Sequence, residues 1–274
     1  MEASSDQRAR ASGRPVLVLL LLGVLLMVCG AALYFAGDLT RLQEVVAAKE
    51  GQTALRSVND PEALDQVLKQ YPSNRILKLV ALANEDLAAI DAAAPKLLRE
   101  GEPRDLSKPV DLGALGRSDL EALRRDLQAA QGSAAGLKPR YIALVKADRD
   151  RLESEARALN LGSDALSVFM AMIDEQQKDM LDLTSRMFAA RAEHYSAYAQ
   201  CVALLLREFG IYRVANGQLV FPFKSTADTY NRAAAAMAAA ATRLAELDAE
   251  KTRLGQSQLD RWKAFVDQQV KRAG

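Results

Sequence analysis

From Val16 to Ala36 the chain reads VLVLLLLGVLLMVCGAALYFA, an apolar run without a charged side chain. A bilayer core takes roughly 20 apolar residues at a rise of about 1.5 Å each, so the run predicts a membrane-spanning helix. Beyond it the apolar positions become intermittent. Leu39, Leu42, Val45, Val46, Leu55 and Val58 keep mostly helical spacing, which predicts that the membrane helix continues as a stalk over 37–58. Asn59-Asp60-Pro61-Glu62 then opens a short helix, an N-cap followed by Pro at the first helical position, and Tyr71-Pro72 closes it. Ser73 is the expected cap of an amphipathic helix carrying Ile76, Leu77, Leu79, Val80, Leu82, Leu87 and Ile90, which ends near Ala93 or continues through Leu98.

Between Glu100 and Gly116 the period is lost. Gly101, Pro103, Pro109, Gly113 and Gly116 mark a linker. Ser118 to Gln131 reads as a short helix with Leu120, Leu123 and Leu127 inward, followed by a second break over Gly132 to Gly136. From Pro139 the helices lengthen. One carries Tyr141, Ile142, Leu144, Val145, Leu152, Ala156 and Leu159 and stops at Asn160-Leu161-Gly162. The next, capped by Ser163 or Asp164, has neither Pro nor Gly before Gly210. Its seam steps by three and four through Leu166, Met170, Ile173, Gln177, Met180, Thr184, Met187, Arg191, His194, Tyr198, Cys201, Leu205 and Phe209. That is a coiled-coil or long-bundle period.

Asn216-Gly217 lies between Ile211–Ala215 and Gln218–Phe221. Both positions of a tight hairpin turn need positive φ, so a β-hairpin over 211–221 is predicted. The last helix, from Ala227 to about Lys271, carries a seam of Tyr230, Ala234, Met237, Ala241, Leu244, Asp248, Lys251, Leu254, Gln258, Trp262, Phe265 and Gln269. Its Ala-rich first half admits a close antiparallel neighbour, since the connector is short. The expected fold is all-α: one N-terminal transmembrane helix, then an elongated antiparallel helical bundle or coiled coil with a small hairpin between its last two long helices. The expected divisions are a cytoplasmic tail at 1–15, the transmembrane helix at 16–36, the stalk, a short-helix region with the linker at 59–136, and the long-helix bundle at 137–274.

The apolar run admits three readings: a retained signal anchor, a secretory signal cleaved near Ala32, or a lipoprotein signal acylated at Cys29. Val28 before Cys29 is unlike a lipobox, and Leu33-Tyr34-Phe35-Ala36 carries the run to membrane thickness with aromatics at its edge, which favours the anchor. Arg8, Arg10 and Arg14 crowd the N-terminal side, whereas Arg41 and Lys49 follow more distantly. The charge bias places the N-terminus in the cytoplasm and the bulk of the chain in the periplasm of a bacterial inner membrane.

Composition narrows the function classes. Charged residues make up 26% and aromatics 5%, a long-helix profile, and 36 basic against 35 acidic residues leave no field to attract nucleic acid. The two cysteines, Cys29 and Cys201, supply no disulfide framework, and Cys201 falls on an apolar seam. The single histidine, His194, is preceded at the di-iron spacing by Arg191 rather than Glu, so the bundle di-metal pattern fails. No nucleophile elbow or phosphate loop is present. No catalytic residue, cofactor or metal is expected.

Two sets of residues remain as candidates. Arg191, His194, Tyr195 and Tyr198 interrupt the seam, and Arg191 with Tyr195 would face an anionic small ligand inside the bundle. Trp262 and Phe265 would cover the bundle end or anchor a partner. The expected function is therefore non-enzymatic, a scaffold or accessory subunit of a membrane or envelope complex whose partners are other envelope proteins or, through its helices, a second copy. The alternative is a sensor-like ligand-binding bundle that relays through a membrane partner.

Overall fold

The computed structural model describes residues 43–59, 61–102, 106 and 110–273. The apolar run at 16–36 lies outside them, and among the described residues no helix is long and apolar enough to cross a membrane. The fold is nearly all helix. A helix at 43–56 (α1) is followed by α2 (Pro61–Gln70), α3 (Arg75–Gly101), α4 (Arg117–Ala158) and α5 (Ser163–Arg207). The strands β1 (Arg213–Ala215) and β2 (Gln218–Val220) then lead into α6 (Lys224–Ala273).

The long helices pack as sequential antiparallel neighbours, α3 on α4, α4 on α5 and α5 on α6, with α5 in the centre. At a rise of 1.5 Å per residue, the 45 residues of α5 extend about 67 Å. Because α4 and α6 flank it on both sides, α5 buries more than one seam. Phe169, Gln176, Leu183, Phe188, Ala190 and Tyr195 are inside along with the expected Met170, Ile173, Gln177, Thr184, Tyr198, Cys201 and Leu205.

The break expected at 132–136 is absent. One helix runs through Gly132, Gly136 and Pro139, because Ala130, Ala134, Leu137 and Tyr141 continue the inward spacing of Leu120, Leu123 and Leu127. A Cβ at either glycine would meet nothing within 4 Å, so both sit on an open face and cost only propensity. Packing along the opposite face outweighs that cost. Pro95 is likewise inside α3, which reaches Gly101.

In α6 one row of the expected seam holds, with Tyr230, Met237 and Leu244 packed against the core, and the other is shifted by one residue: Thr226, Ala233, Ala240 and Leu247 are buried at strict seven-residue spacing, while Ala241 and Asp248 are exposed. Between α5 and α6, Glu193 pairs with Arg243 at 3.2 Å, Arg186 with Glu250 at 2.6 Å and Asp179 with Arg261 at 2.9 Å. The α5 members recur every seven residues with alternating sign, the flanking-charge pattern of a coiled coil.

Helix α1 does not stand free as a stalk. It closes one end of the bundle, with Ala48, Gly51, Ala54 and Leu55 buried. Gln52 Nε2 donates to Asp267 at 2.9 Å, and Lys263 Nζ donates to the Val58 carbonyl at 2.6 Å. Glu44 presents its carboxylate to the Gly162 N–H at the N-terminus of α5, where negative charge meets the helix dipole. The N-cap of α3 is Asn74 rather than Ser73. At the opposite end the hairpin forms where Asn216-Gly217 predicts, with φ of 52° and 73°. Arg213 pairs with Val220 and Ala215 with Gln218 across its antiparallel strands. Rings of Phe209, Tyr212, Phe221 and Tyr230, in successive contact at 5.2–6.4 Å, fasten the hairpin to α5 and α6.

Candidate functional site

The central turns of α5 bring Arg191, His194, Tyr195 and Tyr198 together, because residues three and four apart share a helix face. Arg191 Nε donates to the Tyr195 hydroxyl at 3.0 Å and to Glu102 Oε1 at 3.2 Å, and the Tyr195 hydroxyl donates to the same carboxylate oxygen. The His194 ring meets Tyr195 and Tyr198 edge-on, with centroids at 5.9 and 6.1 Å. Burial, aided by the Arg191 charge, lowers the His194 pKa from its ordinary 6.5, so the imidazole stays neutral to lower pH. Burial first, and then the hydrogen bond to Glu102, push the Tyr195 phenol up to about 12.

Glu102 therefore occupies the place expected of an anionic ligand. Sequence reasoning passed over it because it lies 89 residues from Arg191, just behind Gly101, where the helical period fails. Its carboxylate is only 10% exposed, and it neutralises the one cation of the cluster. In this polar knot Arg191 and Glu102 both reach an open cavity.

That cavity is one half of a groove between α3 and α6, floored by α5. The half near Arg191 encloses about 610 Å3 over an apolar floor of Leu183, Met187 and Phe188, walled by Ala94, Pro95 and Leu98. The other half, about 950 Å3, is lined by the amides Asn84, Gln176, Gln256 and Gln258 together with Leu87, Ala88, Leu254 and Leu259. Met180, Asp91, Asp248 and Lys251 belong to both halves. Asp91 of α3 and Lys251 of α6 pair at 2.7 Å across the waist between them. Both volumes fall in the range of small-molecule sites. Met180 and Met187 thus line the groove, whereas Met170 is core.

Trp262 and Phe265 belong to the interior instead of a partner-facing surface. They are 0% and 2% exposed and pack with Phe169, Val266 and Leu77 at the end that α1 closes. Cys201 is fully buried, and burial raises its thiol to about 11, the opposite of what a nucleophile needs. Among the described residues no group of three or more His, Cys, Asp and Glu is placed to hold a metal ion.

Large apolar side chains are exposed chiefly at the hairpin end. Ile211, Val214, Val220 and Phe223 are 50–60% exposed, and Val110 at 40% is near them in the chain segment that reaches Val214 through Gly113. Both strands of the two-stranded sheet also have an unpaired edge. Comparison with protein-family models, curated proteins and solved structures finds no match.

Proposed function

We propose that the chain is a non-enzymatic, single-pass inner-membrane protein whose periplasmic helical bundle serves as a scaffold or accessory subunit of an envelope complex. The apolar run at 16–36 supports the anchoring, and the arginines before it support the orientation. The observation that carries the reading is the concentration of Ile211, Val214, Val220 and Phe223 on one small hairpin at the end remote from α1. The register sets Val214 beside Leu219 on one face and Val220 beside Arg213 on the other, so both faces of the hairpin expose apolar side chains, and exposed apolar surface on a folded protein marks an interaction site. A photocrosslinking amino acid at Val214, introduced into the full chain in its native membrane, is expected to give a discrete adduct. The same group at Ala235, on the exposed face of α6, serves as the control. Equal adducts from both positions, or none from Val214, would overturn the reading.

The groove between α3 and α6 favours a second reading, a ligand-binding bundle that relays through a membrane partner. Its two halves supply what ligand sites use, apolar lining interspersed with polar groups.

A further inference from the structure

We infer that the groove between α3, α5 and α6 binds a single-chain amphiphile, with the hydrocarbon chain over Leu183, Met187 and Phe188 and an uncharged or zwitterionic head among the amides of the wider half. The inference rests on the ligand-binding reading of the groove and names its ligand class.

Both halves mix apolar and charged side chains, but the amides of the lining all belong to the wider half. Toward Arg191 the floor is hydrocarbon and thioether, which adapts to a flexible chain better than branched side chains do. Toward Gln176 the lining mixes amides with Leu87, Ala88, Leu254 and Leu259. Gln176 is 6% exposed, and its Oε1 has no hydrogen-bond partner, nor has Nε2 of Gln258 across the same chamber. Buried polar atoms are nearly always paired, so this wall holds hydrogen-bonding capacity that its own chain leaves unused. Small side-chain rotations present an acceptor and a donor to a headgroup bearing hydroxyl, ester or amide groups.

Charge argues for the head's neutrality. Asp91 with Lys251, Asp179 with Arg261 and Glu102 with Arg191 each cancel within hydrogen-bonding distance, and the two lining charges without an ion pair among the described residues, Asp248 and Arg99, are of opposite sign, so the groove offers no net charge. The waist decides between a chain and a helix. An α-helix with side chains is about 10 Å across and would have to displace the Asp91–Lys251 bridge, whereas one extended hydrocarbon chain is far narrower and meets Met180, which lines both halves.

The test uses the full chain in nanodiscs containing lysophosphatidylcholine with a diazirine on its acyl chain. After irradiation, mass spectrometry is expected to find label on α5 peptides carrying Leu183 and Met187. Ala94→Trp fills the apolar half from the α3 wall. It is expected to cut that label about tenfold, the loss that denying roughly two methylenes their apolar contact produces. Ala235→Trp on the outer face should leave it unchanged. Excess unlabelled lysophosphatidylcholine should compete the label away on the unmodified chain, which keeps the test decisive if Ala94→Trp fails to fold. Absent groove label, or label indifferent to the competitor, overturns the amphiphile. If a panel of amino acids and sugars then raises the melting temperature in a manner abolished by Gln176→Ala, the ligand-binding reading stands without it. If nothing in the panel does so, both fall.

Discussion

Asn74 joins two helices through the two ends of one amide: its Oδ1 accepts from the Leu77 N–H at 3.0 Å and caps α3, while its Nδ2 donates to Glu50 of α1 at 2.8 Å. The same nitrogen donates to the Ala47 carbonyl at 2.8 Å. The residue is 4% exposed, so water cannot replace these bonds.

The two roles separate by substitution. Asn74→Ser keeps a capping oxygen and loses the donated bonds, at about 1 kcal/mol for each. Asn74→Asp also keeps the cap, but sets a second carboxylate against Glu50 and is expected to be the more destabilising at neutral pH. Urea denaturation ranks the two, and Asn74→Asp proving the milder change would show that the clamp on α1 contributes little.

Trp262 fills the core at the end that α1 closes, yet among the described residues its indole N–H has no acceptor. Trp262→Ala should cost about 3–5 kcal/mol through the cavity it leaves. Trp262→Phe should cost much less than that, because it deletes an unpaired donor together with the lost volume. Thermal unfolding of the two variants side by side checks the ordering.

The paired charges between α5 and α6 predict a reversal experiment. Arg186→Glu faces Glu250 and should lower the melting temperature, adding Glu250→Arg should restore it, and both effects should shrink as salt is raised. A double variant no more stable than the single one would mean that the pair does not set the register of the two helices.

Asp86 carries a carboxyl whose pKa burial, reinforced by the Asp148 charge, raises above its ordinary 3.8, with Arg151 only partly offsetting the rise. A folded-state value above the unfolded one means that the native state holds the proton more tightly. The contribution of Asp86 is then fully present below the ordinary range and is lost as pH rises through the raised value. The stability of Asp86→Asn relative to the unmodified chain is expected to improve between about pH 3 and pH 7. A flat difference in denaturation free energy across that interval would remove the argument.

Cys201, fully buried with a raised thiol, should resist iodoacetamide at pH 8 in the native chain and react in urea, read from the tryptic peptide that contains it. Rapid native labelling of that peptide would place the thiol outside the core.

The legible parts of this fold are those where one residue type carries an unambiguous signal. Asn216-Gly217 announces the hairpin because few other pairs accept two positive φ values, and the apolar steps of α5 announce a long helix. The signal fails where alanine does the packing. Ala130 and Ala134 carry the inward face of α4 through its glycines, and neighbouring alanines leave the phase of α6 undetermined between Ala240 and Ala241 until its partner is in place. Ser73 and Asn74 are equally good caps by composition, and only the position of α1 chooses the second. At the site, the clustering of Arg191, His194, Tyr195 and Tyr198 follows from helical spacing. Glu102 and the α3 wall of the groove come from distant segments and have no local trace.

The long helices meet their immediate sequence neighbours and form as the chain lengthens, but the bond between Gln52 and Asp267 joins residues 215 apart, and Lys263 reaches back 205 residues to Val58. Contacts of such separation close last, because the loop entropy they must overcome is not reduced until the intervening helices have docked. On the ribosome the apolar faces of Leu55, Leu77 and Phe169 therefore wait uncovered until the final turns of α6 emerge. The sealing of that end marks the completion of folding.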